Sequence, residues 1–212
     1  MVSQQINDDG SPARRTAANA ISEDVILDAA AKLMATIGIR RTTMADVARA
    51  AEVSRATLYR RFPNVTALAA QVTTREFQRV AAAARLDISG PDLPSRDALI
   101  DALVHLVREA RRHPLLQRII ELDPEFLTPY LIQRGGRTSH GQLTDLTALI
   151  TVAQGYGQIR AGTPSRMAAT VLQMAWSFAL TGPVFVTDDH GDPDTETLDA
   201  ELTDLLERYL RP

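Results

Sequence analysis

The stretch TTMADVARAAEVSRATLYRRF, Thr42 to Phe62, spells two short helices joined by a tight turn. Thr43 stands where a helix begins. Asp46 follows it at capping-box spacing, so the pair can satisfy backbone N–H groups that a first helical turn leaves unpaired. Val47, Ala48 and Ala51 supply a narrow apolar face. Glu52 and Val53 make the turn, and Ser54 caps the next helix. Pro63, directly after Phe62, discourages continuation. The pattern is that of a helix-turn-helix.

The second of these helices has a distinctive outer face. With Leu58 set as the inward direction and about 100° per residue, Phe62 falls about 40° away, near the core side. Ala56 and Arg60 fall at about 160° and 200°, directly outward. Thr57 and Tyr59 flank them, and Arg55 and Arg61 lie nearer the edges. A small residue, an arginine, a hydroxyl and a phenol on one face suit a major groove. Ala56 lets the backbone approach and can touch a thymine methyl, and an arginine can donate twice to guanine O6 and N7. Ser54, Thr57 and Tyr59 can donate to phosphates. A merely solvated helix would not need Ala56, Thr57 and Tyr59 there.

Charge points the same way. The 212-residue chain carries a formal net charge of −3. Between Gly38 and Phe62, six arginines (Arg40, Arg41, Arg49, Arg55, Arg60, Arg61) face two acids, Asp46 and Glu52. That segment is +4, so the remainder carries −7. A basic patch on an acidic body suggests a local polyanion-binding surface. Lys32 is the sole lysine. A GC-rich coding genome is the bland source of that bias, yet arginine is also the better partner for phosphate and guanine.

The rest of the chain reads as helices. Residues 1–21 are polar and aperiodic, the composition of a disordered tail. Arg14 and Arg15 could follow a groove as an arm, although a solvated tail is the simpler reading. Ser22 can cap a helix in which Ile26, Ala30, Leu33 and Ile37 recur at helical spacing and Gly38 makes the stop. Asn64 can cap a fourth helix through Leu68, Val72, Phe77 and Val80 to about Leu86. SGPDLP, Ser89 to Pro94, is the clearest break, and a domain boundary is expected near it. Helices follow over about 95–112, 115–122, 126–133, 138–155, 164–180 and 195–210. RGGR at 134–137 and DDHGDP at 188–193 read as mobile loops. No β-hairpin, βαβ pattern or repeat is evident.

Other chemistries find little support. With no cysteine, the chain has no disulfide, zinc–thiolate site or thiol nucleophile. GYGQIRAG has the wrong glycine spacing for a nucleotide loop. The acids around His190 do not fit an EF-hand. His105, His113 and His140 have no metal-ligand spacing, and no G-x-S-x-G elbow occurs. No metal, cofactor or catalytic group is expected. No apolar run approaches the ~18 residues of a membrane span. The N-terminus lacks a secretory signal, so the cytoplasm is the expected compartment.

At this point a family resemblance emerges. The strings ILDAAAKLMATIG, TTMADVARAAEVS and TLYRRFPN, followed by ALAA, make the segment from about residue 22 to 69 resemble the DNA-binding domain of the TetR family of transcriptional regulators. The resemblance implies an all-α protein with a helix-turn-helix domain over 22–69. A helical effector-binding and dimerisation domain would occupy 70–212. It implies a homodimer on a palindromic double-stranded operator, most often as a repressor. Thr43, Ser54 and Tyr59 would then hold phosphates. Arg55, Ala56, Thr57 and Arg60 would face bases or nearby phosphates, with Arg61 at the backbone. Two positions depart from the family pattern. Glu52 replaces the usual glycine of the turn, at a strain of about 1 kcal/mol if φ is positive. Val65 stands where a phosphate-binding lysine is common, and Arg40 or Arg41 can replace that contact.

For the C-terminal body, the resemblance implies that the last two long helices form an intersubunit bundle. Met167, Val171, Met174 and Phe178 form one stripe, and Leu198, Leu202, Leu205 and Tyr209 another. Either stripe could instead pack within its own subunit. Phe126, Tyr130, Gln173, Met174 and Trp176 are candidate lining for a pocket holding a small amphipathic or apolar effector. Ordinary core is the alternative. A different reading of the whole is a helical small-molecule-binding protein whose DNA role is lost or secondary.

Overall fold

A computed structural model describes residues 22–83, 95–128 and 137–212. These fold into α-helices: α1 (Glu23–Ile37), α2 (Met44–Ala50), α3 (Arg55–Arg61), α4 (Val65–Ala83), α5 (Arg96–Arg112), α6 (Pro114–Leu122), α7 (Arg137–Gly155), α8 (Pro164–Leu180), α9 (Gly182–Phe185) and α10 (Thr195–Leu210). Pro124–Phe126 forms a single 3-10 turn. Among the described residues the only β-type pairing is an isolated bridge between Thr187 and Pro193.

Local chemistry explains most helix starts. Ser22, Thr43, Ser54, Asn64, Ser95 and Asp194 each accept a backbone N–H from the first turn of the following helix. Such a cap is worth about 1 kcal/mol. Gly38 ends α1 at φ +88°, a conformation that suits glycine. The short α9 was not foreseen, and the region expected to be helical over 126–133 is described only as far as residue 128. Tyr130, the tail at 1–21 and the SGPDLP break lie outside the described residues.

Two apolar clusters organise the molecule. The first joins Ile26, Met34, Val47, Leu58, Phe62 and Val72 from α1–α4 to Leu115, Leu116 and Ile119 of α6. The second joins α5, α7, α8 and α10 through Ile100, Val107, Ile150, Val171 and Leu202. Leu180 packs against both. Thus α6 follows the C-terminal helix α5 in the chain yet completes the core beneath the N-terminal head.

Polar contacts reinforce that joint. Asp123, 2% exposed, accepts the Ile39 N–H through Oδ2 at 2.6 Å. Arg118 Nε donates to the Ala35 carbonyl at 3.1 Å, and Arg40 pairs with Glu125 at 3.0 Å. On the other side, Arg75 of α4 pairs with Asp24 and Asp28 of α1 and with Glu76.

Candidate nucleic-acid interface

The turn between α2 and α3 is a Schellman-type stop. Val53 N–H donates to the Ala48 carbonyl at 2.9 Å, and Glu52 N–H to that of Arg49 at 3.3 Å. Glu52 occupies the left-handed position at φ +55°. This is the strained conformation anticipated for a residue standing where glycine is usual.

From that turn α3 rises with a sharp division between its faces. Leu58 is fully buried and Phe62 nearly so, both in the head core. Arg55, Ala56 and Arg60 are exposed, and Tyr59 retains 53% of its surface. Thr57 is half-buried, with its hydroxyl 2.9 Å from that of Ser54. Arg61 is half-buried too, and its Nη1 is sealed without an acceptor. Helical geometry therefore brings Arg55, Ala56, Tyr59 and Arg60 to one open surface and leaves Thr57 and Arg61 at its margins.

Thr43 and Arg41 are exposed on the segment that enters α2. The Thr43 hydroxyl donates to Asp46 Oδ2 at 2.6 Å and accepts the Asp46 N–H at 3.2 Å. That hydroxyl, aided by Arg49, holds the Asp46 carboxyl below the usual carboxylate range.

Ion pairing sorts the basic patch. Arg40 is engaged by Glu125 and Arg49 by Asp46. Among the described residues, Arg41, Arg55 and Arg60 have no acidic partner. Unneutralised guanidiniums beside a phenol and exposed hydroxyls can meet phosphate oxygens and base edges together.

The C-terminal candidates are dispersed. Met167, Val171, Leu198 and Leu202 are each no more than 2% exposed within their own subunit. These four side chains pack within their own chain, the second of the two placements open to the stripes. Leu205 is exposed, and Phe178 and Tyr209 are half-buried. Among the pocket candidates, Phe126 packs on the head-side cluster and Met174 on the other. Trp176 meets Phe77 of α4 edge-on, with ring centroids 5.5 Å apart. Gln173 is exposed. A depression of about 410 Å³ beside Val25, Lys32, Thr36 and Ala50 contains none of these residues.

Asp123 and Glu125 were missed as positioning residues. Nothing local in the sequence indicates that the Asp123 carboxylate reaches Ile39, 84 positions away. In the acidic loop, the Asp188 carboxylate accepts the N–H groups of His190 and Asp192.

The fold and this surface define a helix-turn-helix DNA-binding regulator. Residues 26–72 match the family described as bacterial regulatory proteins, tetR family. An uncharacterised HTH-type transcriptional regulator of Mycobacterium tuberculosis is 32% identical over 185 residues, 87% of this chain and 92% of the relative. Its counterpart in Mycobacterium bovis matches to the same extent. Among solved structures, the TetR-family repressor AlkX from a Dietzia species shares the fold at TM-score 0.58 and 22% identity, over 87% of this chain and 94% of that one. The fatty acid degradation regulator FadR from Bacillus halodurans does so at TM-score 0.62 and 18% identity, over 86% and 93%. The chain belongs to the TetR family of transcriptional regulators, and its relatives are regulators rather than enzymes. Among the described residues, no helix is long and apolar enough to cross a membrane.

Proposed function

We propose that this regulator is a repressor that binds a palindromic operator as a homodimer and is released by a small apolar or amphipathic effector. The observation that carries the reading is the outer face of α3, where Arg55, Ala56, Tyr59 and Arg60 stand exposed above buried Leu58 and Phe62. In this reading Arg60 and Arg55 meet base edges or nearby phosphates, with Ala56 and Thr57 against the groove. Ser54, Thr43 and Tyr59 hold phosphates, Arg61 lies at the backbone, and Arg41 takes the contact that Val65 cannot make. Residues 22–69 form the reading head and 70–212 the effector and dimer domain. The protein acts in the cytoplasm, beside the chromosome it regulates.

Effector control follows from packing. Because α6 shares the core of the head, a shift of α6 is transmitted to α1 and α2. The effector then favours one spacing of the paired heads over another. Leu205, Phe178 and Tyr209 remain available to a second subunit.

The test is binding of the purified protein to duplexes from the DNA flanking its own gene, across a salt series. A palindromic site bound two protomers at a time, with log affinity falling linearly in log salt, is the expected result. Tight small-molecule binding without salt-dependent DNA affinity would instead favour the small-molecule-binding alternative.

A further inference from the structure

Helix α5 carries a charge where its pattern calls for a core residue. Ile100, Val104, Val107 and Arg111 lie on one helical face, and all four are buried. Arg111 has a side chain only 5% exposed. Its Nη2 donates to Asp199 Oδ1, and Arg108 Nε donates to Asp199 Oδ2 at 2.6 Å. Two guanidiniums thus share one carboxylate, which leaves the group with an excess positive charge. Nε and Nη1 of Arg111 are buried and have no acceptor. A guanidinium left this way among apolar side chains is costly, and the cost falls when a second anion supplies charge and acceptor atoms together.

We infer that Arg111 is an anchor for the acidic group of an organic effector, a monocarboxylate carried on an apolar body. The surroundings select that class. Val107 and Ala110 on α5, with Leu198 and Leu202 beside Asp199 on α10, are buried and apolar. They favour an apolar body behind a single negative charge and disfavour a strongly hydrated inorganic anion. The position also suits regulation. Val107 belongs to the C-terminal cluster and Ala110 to the head-side cluster completed by α6. A molecule held at Arg111 therefore sits at the seam between them. The control of DNA binding rests on the function proposed above, whereas the anchor can be tested without DNA.

The experiment uses the full chain with butanoate, octanoate, decanoate and benzoate. The matching primary alcohols and sodium chloride at equal ionic strength serve as controls. Thermal stability and the fluorescence of Trp176, the single tryptophan, are the readouts. At least one carboxylate is expected to raise the melting temperature and to bind roughly tenfold or more tightly than its alcohol, as a charge-assisted contact implies. Arg111→Met should abolish that preference. Asp199→Asn, which frees the other edge of Arg111, should strengthen carboxylate binding and keeps the test decisive if the first variant folds poorly. Equal binding of carboxylates and alcohols, or weaker carboxylate binding in Asp199→Asn, overturns the anchor. If a carboxylate binds through Arg111 but leaves operator affinity unchanged, the anchor stands and the effector reading for that ligand fails.

Discussion

The Asp123 carboxylate at the end of α6 accepts the backbone N–H of Ile39, 84 positions earlier in the chain, at 2.6 Å. Ile39 lies in the loop that feeds α2, so this buried bond ties the reading head to the helix beneath it. A Cβ at Gly38 would stand 2.9 Å from the same carboxylate oxygen, which shows how closely the two elements meet.

Asp123→Ala should lower unfolding stability by about 2 kcal/mol, the cost of stranding a buried donor. Asp123→Asn keeps an acceptor atom and should cost less. Urea unfolding of the three proteins checks the order.

Glu52→Gly should stabilise the protein by about 1 kcal/mol, because glycine reaches φ +55° without the Cβ clash. Calorimetry of the two proteins measures it. An unchanged or lower melting temperature would mean that the turn carries no such strain.

Arg60→Ala should weaken operator binding by about 1–3 kcal/mol if the guanidinium reads a guanine. Tyr59→Phe should weaken it less, through loss of one phosphate contact. Both residues are exposed, so unfolding stability should stay within about 0.5 kcal/mol of the parent. Full affinity in both variants on the true operator would reject the face proposed for DNA.

Stability should also fall in mild acid. Burial holds the His113 imidazole below its ordinary value, and Glu76, 3.7 Å away, opposes this only in part. The folded protein therefore binds that proton less readily than the unfolded chain does. The stabilising contribution is full above the unfolded value of about 6.5 and is lost as pH falls through it toward the lower folded value. Asp46 and Asp194 are held low by hydrogen bonds from Thr43 and Thr197, so their contributions are lost only in stronger acid. Urea midpoints followed from about pH 7.5 to about 5.5 should drop, and less steeply in His113→Gln.

The reading head was legible in the sequence because its determinants are local. Caps at Ser22, Thr43, Ser54 and Asn64 act within one helical turn, and the facing of Ala56 and Arg60 follows from helical period once Leu58 is taken inward. The left-handed turn at Glu52 was likewise visible from its place in the motif. Tertiary packing decided the rest. A stripe such as Met167 and Val171 announces that a face will be covered, but the same spacing serves a subunit core or a partner. Only the fold shows these side chains enclosed by their own chain. Nor could periodicity show that α6 completes the head, that Asp123 meets Ile39, or that Arg111 and Arg108 converge on Asp199. Each of these depends on chain segments brought together from far apart, and the energy that selects them comes from burial and charge pairing across the whole core.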